Sequence, residues 1–191
     1  ARFVLETLWG NPADTDTLGL VFPPDVSPFQ SDSWALEVYF DKIGYVSDSD
    51  AAAYDYKDML TQMQSDAEAG NADRKAKGFD AIHVLGWAAE PRYDKDARKL
   101  YWAKRLQFEG DDGETLNYNI RALGRHGVLV MNFIASMQDL PKVETALPDV
   151  LKMVNFTDGN RYSDYLPGVD TVAAVGIGGL IAGQVLARTG I

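Results

Sequence analysis

Glu114-Thr115-Leu116-Asn117-Tyr118-Asn119-Ile120-Arg121-Ala122-Leu123-Gly124-Arg125-His126-Gly127-Val128-Leu129-Val130 is the stretch that decides the fold. Leu116, Tyr118 and Ile120 alternate with Thr115, Asn117, Asn119 and Arg121, a period of two that predicts a strand with one apolar and one polar face. Gly124-Arg125 leaves room only for a tight reversal, so His126–Ile134 returns antiparallel beside it. Upstream, Gly110-Asp111-Asp112-Gly113 reads as another turn, preceded by Lys99–Phe108 and, across a long loop at Ala88–Arg98, by Ala81–Trp87. Four consecutive strands make a meander.

Helical patterns flank it. Tyr56, Met59, Leu60, Met63 and Ala67 share one face of a helix that opens at Ser47-Asp48-Ser49-Asp50 and runs to about Lys77, with Gly78 as its stop. A second helix starts near Asp139 with Pro141 in its first turn. Its buried stripe is Val143, Leu147, Val150, Leu151 and Val154, and Pro148 is expected to kink or split it. Trp34–Phe40 alternates as a strand, and short strands are expected near Arg2–Leu8 and Leu18–Phe22. The fold class is therefore α+β: an antiparallel meander sheet with packed helices.

Composition narrows the function. The 191 residues are 46% hydrophobic and 24% charged with a net charge of -10, which suits a globular domain and disfavours nucleic acid as a partner. Residues 1–70 carry 13 acids against 3 bases, whereas 71–126 carry 9 against 11; that small basic excess makes no phosphate-binding footprint. There is no cysteine, which excludes a disulfide scaffold, a thiolate metal site and a thiol nucleophile. His83 and His126 have no metal-ligand spacing around them, and no serine sits in a nucleophile elbow. No metal, no cofactor and no catalytic residue is expected.

The last stretch reads differently. Thr171–Ala187 holds 17 uncharged residues; as a helix it spans roughly 26 Å, close to the thickness of a hydrocarbon core. Gly176, Gly179 and Gly183 sit at helix-packing spacing within it, and close packing in a membrane explains so many glycines. A buried helix or glycine-rich coil capping the domain is the competing account. Expected organisation is a soluble domain over 1–168 and the start of a transmembrane anchor over 169–191.

Candidate recognition residues are Asn117, Asn119 and Arg121 on the polar strand face, Arg125 in the turn, and Tyr93 and Asp94 in the long loop. Amides and a guanidinium bind carboxylate or peptide groups, and Arg does so through two parallel bonds. The same region offers Glu90, Asp94 and Asp96, which with Arg121 define a weaker expectation of a carboxylate-dependent hydrolase.

Three ordered motifs carry a resemblance: Gly86-Trp87-Ala88-Ala89-Glu90-Pro91-Arg92-Tyr93-Asp94 with Leu100-Tyr101-Trp102-Ala103; Asn117–Leu129; and Phe156-Thr157-Asp158-Gly159-Asn160-Arg161-Tyr162-Ser163-Asp164-Tyr165 leading into Asp170 and Leu180-Ile181-Ala182-Gly183. From about Trp34 onward the chain resembles bacterial membrane-anchored envelope proteins grouped as a domain of unknown function. The resemblance implies an inner-membrane protein with its soluble domain in the periplasm, and no catalytic residues. The element order is also similar to that of small lipoprotein-like domains related to photosystem extrinsic subunits. The expectation is a non-enzymatic accessory or binding subunit of an envelope membrane complex, meeting a membrane protein or its own copy through the C-terminal helix. A periplasmic hydrolase and a soluble small-ligand-binding domain are the alternatives.

Overall fold

The computed structural model describes residues 1–8, 16–24, 26–30 and 34–183. Six antiparallel strands form one sheet: β1 (Thr17–Val21), β2 (Ala35–Asp41), β3 (Ile82–Asp94), β4 (Lys99–Phe108), β5 (Thr115–Leu123) and β6 (Val128–Ser136). Their order is β1-β2-β6-β5-β4-β3, so the predicted meander is present and β2 adds to its β6 edge. The α+β class holds.

Helix α1 (Tyr56–Ala76) covers one face and α2 (Leu140–Met153) belongs to the other. Leu116, Tyr118, Ile120, Met131 and Phe133 meet Val143 and Val150 of α2 in one core; Leu100, Trp102, Val130 and Tyr39 meet Met63 and Ala67 of α1 in the other. Both sheet faces are therefore buried, which turns the polar face of β5 inward.

Several boundaries differ from expectation. The first helix begins at Tyr56, capped by Asp55, which accepts from Lys57 N at 2.8 Å and Asp58 N at 3.2 Å. The Ser47–Asp50 cluster caps nothing because its acids are engaged elsewhere: Asp48 takes Tyr93 and Arg98, and Asp50 takes Tyr54 and Ile177 N. Most of the expected loop at 88–98 is strand. Three register shifts in β3 break its alternation, and Pro91 is tolerated because β3 is an edge strand. Residues 3–8 form a π-helical turn, not a strand, and α2 runs unbroken through Pro148.

The largest correction concerns 171–187. Among the described residues no helix is long and apolar enough to cross a membrane. Thr171–Gly176 is laid along Gly44–Val46: Tyr45 N donates to Thr171 O and Ala173 N to Tyr45 O, both at 2.8 Å. A short helix follows, α3 (Ile177–Ala182), whose Ile177, Leu180 and Ile181 are buried in the α1-side core. Residues 184–187 of the predicted span lie outside the described residues.

The glycines are accounted for by the domain itself. A Cβ at Gly176 would overlap the Asp50 carboxylate and one at Gly178 the Tyr54 ring; at Gly179 it would fall 2.6 Å from Val175 Cβ, and at Gly183 2.9 Å from Gly179 O. Gly44 has φ +91 and its Cβ would stand 2.6 Å from Thr171 O, so the chain crossing there needs glycine for both conformation and space.

Candidate functional site

Three neighbouring rows of side chains cross the inner, α1-side face of the sheet. Register aligns Tyr39, Val130, Arg121, Leu100 and Tyr93 in one row, Glu37, Asn132, Asn119 and Trp102 in the next, and Ala35, Ile134, Asn117, Lys104 and Trp87 in the third. Steps between rows are about 7 Å and between strands about 4.8 Å. A polar cluster thus occupies the middle of an otherwise apolar layer.

Arg121 is fully buried and anchors the cluster. Its Nη1 donates to Asn132 Oδ1 at 3.0 Å and to Ile120 O at 2.8 Å, and its Nη2 donates to Asn119 Oδ1 at 3.3 Å. The guanidinium leans over the Trp102 ring, 4.9 Å from its centroid, a cation–π contact that desolvation strengthens. Asn119 in turn donates to Asn117 Oδ1 at 2.8 Å. At the far end of the row, Thr17 Oγ1 donates to Glu37 Oε1 at 2.7 Å.

Lys104 lies on the other side of Trp102, 2% exposed. Among the described residues it makes no hydrogen bond or ion pair. Burial, reinforced by the neighbouring Arg121 charge, pushes its amine down to about 8. The indole Nε1 of Trp102 is also buried with no hydrogen-bond partner among the described residues. Arg121, Trp102 and Lys104 therefore lie on three successive rows of one sheet face.

Asn117, Asn119 and Arg121 come together as expected, although Arg121 and Asn119 are sealed inside the fold. Tyr93 shares the Arg121 row with Leu100 between them, and its hydroxyl donates to Asp48 Oδ2 at 2.9 Å. Burial and Asp48 push that phenol up to about 12, against the opposing Arg98. Asp94 closes a turn by accepting from Asp96 N and Ala97 N. Arg125 is a clip: Nε and Nη2 donate to Asp170 at 2.7 and 2.9 Å, and Nη1 to Gly159 O at 3.2 Å. Arg125 and the Leu166 amide hold the Asp170 carboxyl below the usual carboxylate range, against burial. Glu90, Asp94 and Asp96 are all exposed and are not gathered around Arg121, so the hydrolase constellation does not form. Among the described residues no group of acids and histidines is placed to hold a metal ion.

Lys104, Asn132, Glu37 and Thr17 were not singled out in the sequence. A signal existed: Leu100, Trp102, Lys104 and Leu106 share a strand face, and a lysine on an apolar face is a buried charge. Among the described residues, open grooves of about 430 and 800 Å³ lie elsewhere, the larger one between Phe40, His126, Phe156 and Asp170.

The family model described as "Protein of unknown function (DUF2167)" matches residues 1–191. The chain belongs to this family. No curated protein matches it. Among solved structures, this DUF2167 chain is similar to the protein of unknown function PA94 from Pseudomonas aeruginosa, at 12% identity and TM-score 0.39, over 76% of this chain and 86% of that one. It is likewise similar to cyanobacterial PsbP (CyanoP) from Synechocystis sp. PCC 6803, at 13% identity and TM-score 0.37, over 74% and 81%. At those scores neither likeness transfers an activity to the DUF2167 chain.

Proposed function

We propose that this DUF2167 chain is a non-enzymatic binding domain, an accessory subunit of a bacterial envelope complex, with the polar centre of its sheet as the binding site. One observation supports the reading: the buried Arg121 cluster. A sheet centre packs more stably around aliphatic side chains than around a guanidinium, an ammonium and amides, because each polar group must be desolvated. Where such groups are kept at the cost of stability, function is the usual reason. Placement at the inner membrane with the domain in the periplasm is part of the same proposal. It rests on the resemblance of the three sequence motifs and not on a spanning helix in the described residues.

The test is gentle detergent extraction of the protein from its native membrane, followed by native mass spectrometry. A stoichiometric protein partner, or a small-molecule mass retained by wild type and lost from Asn119→Leu, is the expected result. A bare chain of its calculated mass overturns the binding role. Recovery in a wash without detergent overturns the membrane placement.

A further inference from the structure

We infer that the larger groove, of about 800 Å³, is a second binding site, separate from the Arg121 cluster, for an amphiphilic oxyanion. The apolar body of the ligand lies on Phe40, Phe156 and Val169, and its charged head meets Lys42 and His126, all of which line the groove. The first ground is shape. Gly124 and Gly127 bracket the turn between β5 and β6, and two aromatic rings settle where their side chains would stand. A Cβ at Gly124 would fall 2.8 Å from the Phe156 ring, and one at Gly127 3.0 Å from Phe40 Cζ. The rings meet edge to face, 6.4 Å between centroids, and each keeps part of its surface exposed. Val169, 75% exposed, adds an apolar wall that a ligand would cover. The Arg125–Asp170 clip ties that wall to the turn, so the groove is formed in advance. Its size and its mainly apolar lining are those of a small-molecule site.

The second ground is charge. The acid in the lining is Asp170, and its carboxylate is already engaged. Arg125 donates to both of its oxygens, and Leu166 N donates to one of them at 2.7 Å. Lys42 and His126 have no such partners: among the described residues neither side chain makes a hydrogen bond or ion pair. Asp41, next to Lys42 in sequence, is not in the lining and has its own partner. Gly44 N donates to His126 O at 3.2 Å, which ties the segment after β2 to the turn and brings both side chains to one groove. An ammonium only donates hydrogen bonds, and an imidazole carries at least one N–H. Both therefore suit the oxygens of a carboxylate or phosphate head. A simple anion needs these two groups alone; the aromatic floor beside them selects one that carries an apolar chain.

The test uses the two histidines, whose ring C2–H signals are followed by NMR in the full chain; His126→Gln assigns them. His83 is the internal control. It pairs with Gln107, at the far end of β4 from Lys99, which pairs with Ala122 beside the turn, roughly 26 Å along the strand. Sodium octanoate below its micelle threshold is compared with sodium acetate, which has the head alone, and octanol, which has the chain alone. The expected result is a saturable shift of His126 with octanoate, none at His83, and markedly weaker binding of both controls. Lys42→Met, at an exposed position, should keep the His83 signal and weaken octanoate binding roughly threefold to tenfold. Absence of saturation at His126, an equal shift at His83, octanol or acetate binding as tightly as octanoate, or undiminished binding by Lys42→Met overturns the inference. The two sites are told apart in the native mass experiment: a ligand of this groove is kept by Asn119→Leu, and a ligand of the sheet centre is not.

Discussion

Lys104 occupies a position on β4 between Trp102 and Leu106 where an aliphatic side chain would meet no penalty. Lys104→Met keeps the unbranched stem and removes the buried charge, so it is expected to stabilise the ligand-free protein by about 1–3 kcal/mol at neutral pH. The pH dependence identifies the cause. The amine titrates near 8 in the folded chain and near 10.4 when unfolded. Between those values the unfolded chain binds the extra proton, so wild-type stability gains on the variant as pH rises. The gap between Lys104→Met and wild type should be widest below about pH 8 and closed near 10.4, read from urea midpoints of both proteins. A gap independent of pH would mean that packing, not charge, is responsible. At this scale the sequence was half legible. The alternation on β5 brought Asn117, Asn119 and Arg121 onto one face, but whether that face met water depended on α1, which lies more than forty residues away in the chain. Lys104 was visible as an anomaly of pattern; its pairing with Arg121 required the register.

The meander strands from residue 99 onward were read well because short turns force neighbours together and a period of two is hard to mistake. Elements held by side chain to backbone bonds were not. The start of α1 and the course of 171–183 both turn on Asp50, a surface acid in sequence and a hub in the fold. Burial raises its carboxyl, but hydrogen bonds from Tyr54 and from the amides of Ile177 and Gly178 outweigh that and leave it below the ordinary range. A lowered folded value means that Asp50 contributes fully above its unfolded value, about 3.9, and that the contribution is lost as pH falls through the folded one. Asp50→Asn is expected to cost about 1 kcal/mol at neutral pH and to flatten the acid limb. Urea midpoints between about pH 7 and 2 should converge with wild type at the acid end. Parallel curves would mean that the charge of Asp50 has no part in holding α3. The glycines near Asp50 are ambiguous for the same reason: small residues at helix spacing signal close approach, and nothing in the spacing says whether the neighbour is another helix in lipid or an acid in the same domain.

The whole molecule is closed by its last described residues. Ile177, Leu180 and Ile181 are almost wholly buried, and at about 1.5–3 kcal/mol each their packing contributes roughly 5–9 kcal/mol, comparable with the total stability of a domain, about 5–15 kcal/mol. A chain ending at Leu166 is therefore expected to lose dispersed amide signals and near-ultraviolet dichroism, while one ending at Gly183 keeps both. A folded chain ending at Leu166 would mean that α3 is not needed to close the core, as a self-sufficient domain over 1–168 requires.

That closure also sets a timetable. On a ribosome or in a translocation pore, Met63, Trp102 and Val130 emerge long before the residues that finish their core. The bond from Ile177 N to Asp50 spans 127 positions, so the α1-side core cannot close until residue 177 has emerged. Synthesis proceeds at roughly 5–20 residues per second, which leaves the chain open for several seconds. If the domain is exported as proposed, such a delay preserves the state in which it can still be moved.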